Sequence, residues 1–277
     1  MSLADAILEL VPVRSALLES LAGVSHALTH RVPGLGAADG NMGYSAPRDR
    51  RDAWEMRQHW CTAAGFQAAH LVTLGQVHGA DVHVVRAGDA GRGAMPGSPQ
   101  IGLGDALLTA DPGPVLMTLH ADCQPIFVVD PARGRHGPVV AVVHAGWRGT
   151  VANVVSETVV AMHRDFGSLA ADLHVFLGPA IGPCCYEVGT DVATAWTELA
   201  GQESATALES RGDRFAFSLS AANRLLLERV GIGSDRIETS HICTRCASAA
   251  WFSHRGQGPH TGRFGAMIGI QDSSVYR

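Results

Sequence analysis

TLHADCQPIFVVD, residues 118–130, places a histidine, an aspartate and a cysteine within four positions, His120 to Cys123. Apolar runs flank them, VLM at 115–117 and IFVV at 126–129. Short apolar runs bounded by turn residues read as buried strands. Three ionisable side chains at such a place point to a reactive cysteine or to a metal site.

Outward from this stretch, VVAVV at 139–143 and LHVFL at 173–177 repeat the buried-strand pattern. The spacing of Trp54, Arg57, Gln58 and Cys61 predicts a helix over 52–64, and further helices are expected at 150–163 and 220–230, the last opened by a Ser or Asn cap. Strands are expected at 69–74, 81–86 and 264–270. Residues 31–47 and 87–104 are loops; the second holds six Gly and two Pro in 18 residues. Residues 1–22 read as a short amphipathic helix or a poorly ordered start. The reading is a mixed α/β single domain over 1–277 without repeats or linkers.

Composition excludes several chemistries. All 21 basic residues are arginine. Lysine Schiff bases, pyridoxal phosphate attachment and a Walker A lysine are therefore out, and any bound anion falls to arginine, histidine or backbone amides. A net charge of −5 with no basic block gives nucleic-acid binding no support. No apolar run is long enough for a membrane helix, and the N-terminus lacks a basic leader, so a cytoplasmic location is expected. Six cysteines are then expected as thiols or ligands rather than disulfides.

Three segments share one form, an apolar run ending in polar sequence beside a turn-former: GQVHGAD at 75–81, HADCQP at 120–125 and VHAGWRG at 143–149. Each offers a ligand, His78, Cys123 and His144. Their separations match no compact zinc finger but suit a site assembled from several strand ends, with a fourth position open for water or substrate. A nucleophilic pair of Cys123 with His144 or His120 fits the same spacing. A histidine satisfied in the core or on the surface is the ordinary alternative for each, and spacing does not choose.

QVHGADV, ADC-x-P, HAGWRGT, LGPAIGPCCYEVG, FSHR and TGR, in that order from about Thr29 to Ile270, closely resemble the YfiH family. Its members are described as laccase-domain or polyphenol oxidase proteins, as purine nucleoside phosphorylases with adenosine deaminase activity, and as peptidoglycan editing factors. The resemblance implies an α/β/β/α layered domain and His78, Cys123 and His144 as zinc ligands, copper being the alternative. It implies small-molecule partners, a purine nucleoside and phosphate, with no nucleic acid or membrane. It leaves the oligomeric state open, with a monomer as default.

Against that chemistry, Arg148, four residues after His144, is the first candidate for phosphate. Arg57 and Arg263 stand at family positions and come next, and Asn41 matches a family asparagine that could contact substrate. Asp122 and Glu187 are the candidate proton-moving carboxylates. The chain departs from the family at His254-Arg255 and Met56-Arg57, which bears on how phosphate or sugar is held. Cys184, Cys185, Cys243 and Cys246 are expected as buried thiols, with a second, structural zinc site as the alternative. The rivals are copper-dependent phenol oxidation, for which the chain lacks the expected H-x-H pairs, and a cysteine hydrolase or editing factor acting on peptidoglycan precursors.

Overall fold

The structure is a computed structural model that describes residues 10–134 and 137–271. Its centre is a six-stranded sheet. In spatial order this runs β12 (Ile237–Thr239), β8 (His174–Leu177), β6 (Gln124–Gly134), β7 (Gly137–Ala145), β4 (Ala106–Thr109) and β3 (Val82–Val84). A four-stranded sheet faces it, in the order β1 (Val24–Leu28), β13 (Phe264–Ile270), β5 (Val115–His120) and β2 (Leu71–Val72). The third sheet is small: β10 (Leu208–Arg211), β11 (Arg214–Phe217) and β9 (Glu187–Val188).

The apolar runs are continuous because both faces of each strand are covered. In β6, Ile126 and Val128 join one core while Phe127 and Val129 join another. The antiparallel register Ile126↔Val143 and Val128↔Ala141 carries the same alternation into β7. The second core is shared with Leu28, Val72, Leu116, Phe264 and Ile268, so it fills the space between the two large sheets.

Helices close both outer faces. Helix α2 (Arg50–Ala64) is opened by Asp49, whose carboxylate accepts from the amides of Arg51 and Asp52. It ends at Gly65, left-handed at φ 80°, and buries Met56, Trp60, Cys61 and Ala64 against Met117 and Met267 of the four-stranded sheet. On the far side, α4 (Val154–Phe166), α5 (Thr190–Ala200) and α6 (Leu219–Arg229) supply Val155, Val159, Trp196 and Leu226 to the core beneath the six-stranded sheet. Each fully buried large apolar side chain contributes about 1.5–3 kcal/mol. The layers are helix, sheet, sheet, helix.

Several elements differ from the sequence reading. The helix expected at 150–163 is two, α3 (Trp147–Val151) and α4, because Asn153 adopts a left-handed φ of 65° between them. The strand expected at 69–74 shrinks to β2, preceded by a 3₁₀ turn at Ala68–His70. Strands β1, β4 and β9 to β12 and helix α5 were not anticipated. The N-terminal stretch contributes one helical turn, α1 (Ala16–Glu19); residues 1–9 of that expectation lie outside the described ones. No helix among the described residues is long and apolar enough to cross a membrane.

Candidate metal centre and cavity

Cys123 lies in the tight turn between β5 and β6, His144 near the end of β7, and His78 in the loop before β3. Their ligand atoms all fall within 4.8 Å of one another. Two local devices aim them. His78 is left-handed at φ 62°, a conformation uncommon for a side-chain-bearing residue. Asp105 holds it there: its Oδ2 accepts from the amides of Val77 (3.3 Å) and Gly79 (2.6 Å). The other oxygen, Oδ1, accepts from Nδ1 of His144 at 2.8 Å, so one buried carboxylate fixes two of the three ligand positions.

Asp122, left-handed at φ 85°, shapes the turn that presents Cys123. Its Oδ1 accepts from the Thr244 hydroxyl and its Oδ2 from the Arg255 amide, both at 2.6 Å. Its own carbonyl accepts from Ile181 N at 2.9 Å. Gly146 completes the cradle, since a Cβ there would stand 2.8 Å from Cys123 Sγ and 3.2 Å from His78 Cδ2.

The electrostatics match a ligand set. Burial pushes the Cys123 thiol up, but the charge and hydrogen bond of His144, with help from His78, bring it down to about 6. Burial pushes His144 down, while Cys123 and Asp105 raise it to about 9. Each group favours the charged form of the other, a thiolate beside an imidazolium. His120 is not part of it. Its Nδ1 donates to the Cys123 carbonyl (3.1 Å), so its Nε2 accepts from the Thr118 hydroxyl (2.8 Å). Burial holds it neutral, far below its usual range.

These three residues form part of the lining of a cavity of about 670 Å³, a size ordinary for small-molecule sites, roughly 300–1,000 Å³. Trp147, Ile181, Tyr186 and Leu219 give it apolar surface, while Arg148, Arg255 and Arg263 line it with positive charge. Arg148 lies over the Trp147 ring at 4.4 Å, and among the described residues its guanidinium makes no hydrogen bond. Burial lowers Arg263 to about 10, with Arg48 adding to the effect; its Nη1 donates to the carbonyls of Thr261 (2.8 Å) and Gly262 (2.9 Å).

Three sequence candidates sit elsewhere. Glu187 is outside the cavity, exposed on β9 and paired with Arg214 at 3.3 Å. Arg57 is buried and spent on the carbonyls of Met42, Gly93 and Ala94, with its guanidinium 3.8 Å over Tyr44. It borders an adjoining hollow of about 360 Å³ rather than the ligand cavity. Asn41 is also buried; its amide bonds both backbone groups of Gly43 and accepts from Arg263 N at 2.9 Å, so it supports the arginine from behind.

Sequence reasoning missed Asp105, Trp147 and Tyr186. Asp105 in GLGDALL carries no motif, and only the register of β4 against β7 brings it to His144. The expectation of buried thiols also needs correction: Cys184 and Cys246 are exposed, and Cys185 and Cys243 only partly covered.

The chain matches the family described as multi-copper polyphenol oxidoreductase laccase over residues 25–271, and it belongs to that family. It is 36% identical over 233 residues to the purine nucleoside phosphorylase YlmD of Geobacillus stearothermophilus, covering 84% of each chain. It is 33% identical over 221 residues to the purine nucleoside phosphorylase YfiH of Shigella flexneri, covering 79% of this chain and 82% of that one. The crystal structure of YlmD from Geobacillus stearothermophilus superposes with a TM-score of 0.87 at 32% identity, covering 95% of this chain and all of the other. The layered α/β architecture and the YfiH resemblance read from the motifs both stand.

Proposed function

We propose that the chain is a zinc-dependent purine nucleoside phosphorylase acting on adenosine, inosine, guanosine or methylthioadenosine, with an accompanying adenosine deaminase activity. The observation that carries the reading is one cavity that joins a two-histidine, one-cysteine ligand set to arginines and aromatic side chains. Relatives named purine nucleoside phosphorylases support it.

The donor set suits a borderline ion such as zinc, and the Gly146 cradle leaves room beside the sulfur. A zinc ion held by His78, Cys123 and His144 would supply Lewis acidity and lower the pKa of a bound water. The chain's own residues do the rest. Tyr186 and Trp147 offer faces for the purine ring, and Arg148 and Arg263 bind the phosphate dianion. Arg263 is held by Asn41 and by its carbonyl contacts, so little freedom is lost on binding. Asp122 acts by presenting Cys123, and its two committed oxygens make it a positioning group.

The test is chromatographic: adenosine with and without phosphate, beside Cys123→Ala. Phosphate-dependent adenine supports phosphorolysis, and phosphate-independent inosine supports deamination. A zinc-loaded protein that forms neither product sinks the reading.

One observation favours a second reading, a cysteine hydrolase: the Cys123 thiol brought down to about 6 beside His144. Turnover by metal-free protein that an alkylating reagent abolishes would support it.

A further inference from the structure

A second cluster lies apart from the three ligands described above. Cys184 and Cys185 follow Gly182-Pro183 in the loop before β9, and Cys243 and Cys246 form a C-x-x-C turn after β12. Although about 60 residues separate the pairs, their four sulfurs all stand within 4.8 Å of one another. Cys246 Sγ is 3.6 Å from that of Cys184 and 3.4 Å from that of Cys185. We infer that these four cysteines form a tetrahedral zinc site that staples the 182–186 loop to the 243–246 turn.

Four thiolates around one zinc at about 2.3 Å place their sulfurs about 3.8 Å apart, close to the spacing found. An iron–sulfur cluster would hold its cysteines further apart. Cys246 approaches both members of the adjacent pair, so the arrangement singles out no disulfide partner. The backbone is also set for a thiolate. Gly182 N points at Cys243 Sγ at 3.2 Å. Gly182 itself leaves the space: a Cβ there would stand 3.2 Å from Cys243 Cβ and 3.3 Å from Cys184 Sγ.

The two loops are already tied by backbone, Thr244 N donating to Ala180 O at 3.0 Å and Ala180 pairing with Cys243. Both run into the cavity wall. Ile181 and Tyr186 line it, and Thr244 donates to Asp122, which presents Cys123. The ion is therefore structural, and it rigidifies the wall that faces the catalytic ligands. Binding releases the protons of the thiols that are still protonated, leaving a zinc tetrathiolate of net charge −2; Arg245, between the two C-x-x-C cysteines, offsets part of that charge.

The test is metal content of the full chain loaded with zinc and freed of excess by gel filtration. Two equivalents are expected for the natural sequence, one for Cys246→Ser, one for Cys123→Ala and none for the double variant. If Cys246→Ser fails to fold, Cys184→Ser replaces it. Cobalt(II) loading of Cys123→Ala should then give the intense sulfur-to-metal absorption of a tetrathiolate, independent of nucleoside turnover. One equivalent in the natural sequence, lost entirely in Cys123→Ala, would overturn the inference. So would an intact mass showing the four cysteines oxidised to disulfides in the freshly purified protein.

Discussion

The carboxylate of Asp105 accepts a hydrogen bond from Nδ1 of His144 at 2.8 Å, which turns Nε2 toward Cys123 and His78. The same carboxylate holds the amides on either side of His78. Outer carboxylates of this kind fix the tautomer and orientation of a metal-binding imidazole. Asp105→Asn should lower metal affinity about 10–100-fold while leaving the far-ultraviolet circular dichroism unchanged. Competitive titration against a zinc chelator measures it. Unchanged affinity would mean that the histidines are oriented by their own packing.

Cys123→Ala and Cys123→Ser separate the two readings of the site. Both should lose metal from the three-residue centre, and nucleoside turnover should fall with it. A serine nucleophile would keep residual hydrolysis in the metal-free protein, so activity of Cys123→Ser without metal would favour the hydrolase.

The arginines divide by what they touch. Arg148→Ala should raise the KM for phosphate by about 10-fold or more, the loss of one charge-assisted contact of about 1.5–3 kcal/mol. Glu187→Gln, outside the cavity, should leave kcat/KM within about two-fold. Steady-state kinetics at varied phosphate reads both, and a large effect of Glu187→Gln would place that side chain in the reaction after all.

Arg57 is a stability residue in this fold. Arg57→Met removes the donors to three backbone carbonyls in a buried setting. Expected destabilisation is about 1–3 kcal/mol, since the Met42 carbonyl loses its donor while Ala94 O keeps the Tyr44 hydroxyl and Gly93 O the Thr73 hydroxyl. Arg57→Lys should not restore it, because a point charge cannot span the three acceptors. Denaturant unfolding checks this; a variant of full stability with a raised phosphate KM would return Arg57 to the substrate-binding role.

His26 links stability to pH. Its Nε2 accepts from Ser15 N at 2.8 Å, and burial, then the Arg14 charge, lower it to about 4. The unfolded chain takes up that proton near pH 6.5, so the neutral ring's contribution is complete above about 6.5 and drains as pH falls towards about 4. The loss is ~3 kcal/mol across that window, about 2.5 pH units at about 1.4 kcal/mol each. His26→Gln, whose carbonyl can accept from Ser15, should flatten the slope between pH 7 and 4.5 in denaturant titrations. An unchanged slope would assign the acid sensitivity to carboxylates.

Much of the centre was legible in the chain. The strands that flank Cys123 and the one that carries His144 announced themselves as apolar runs, since strands covered on both faces admit little else. The three ligands stood at the ends of such runs or beside a glycine turn. Short elements were less legible: β4 at Ala106–Thr109 and β1 at Val24–Leu28 are strands because their neighbours pair with them. The roles of single polar residues were least legible. Arg57 and Arg263 look alike in sequence, yet one faces backbone carbonyls and the other the cavity.

By itself the sequence determined the absence of lysine chemistry and the apolar strands of the two large sheets, because composition and periodicity are properties of the chain, and its resemblance to a family singled out His78, Cys123 and His144 as candidate ligands. Only the tertiary structure decided that Asp105 serves both His144 and the His78 loop, that Glu187 faces Arg214 outside the cavity, and that Cys184, Cys185, Cys243 and Cys246 meet. Each depends on strands and loops distant in sequence packing side by side, and the side-chain partners then follow from distances of 2.6–4.8 Å that no spacing along the chain encodes.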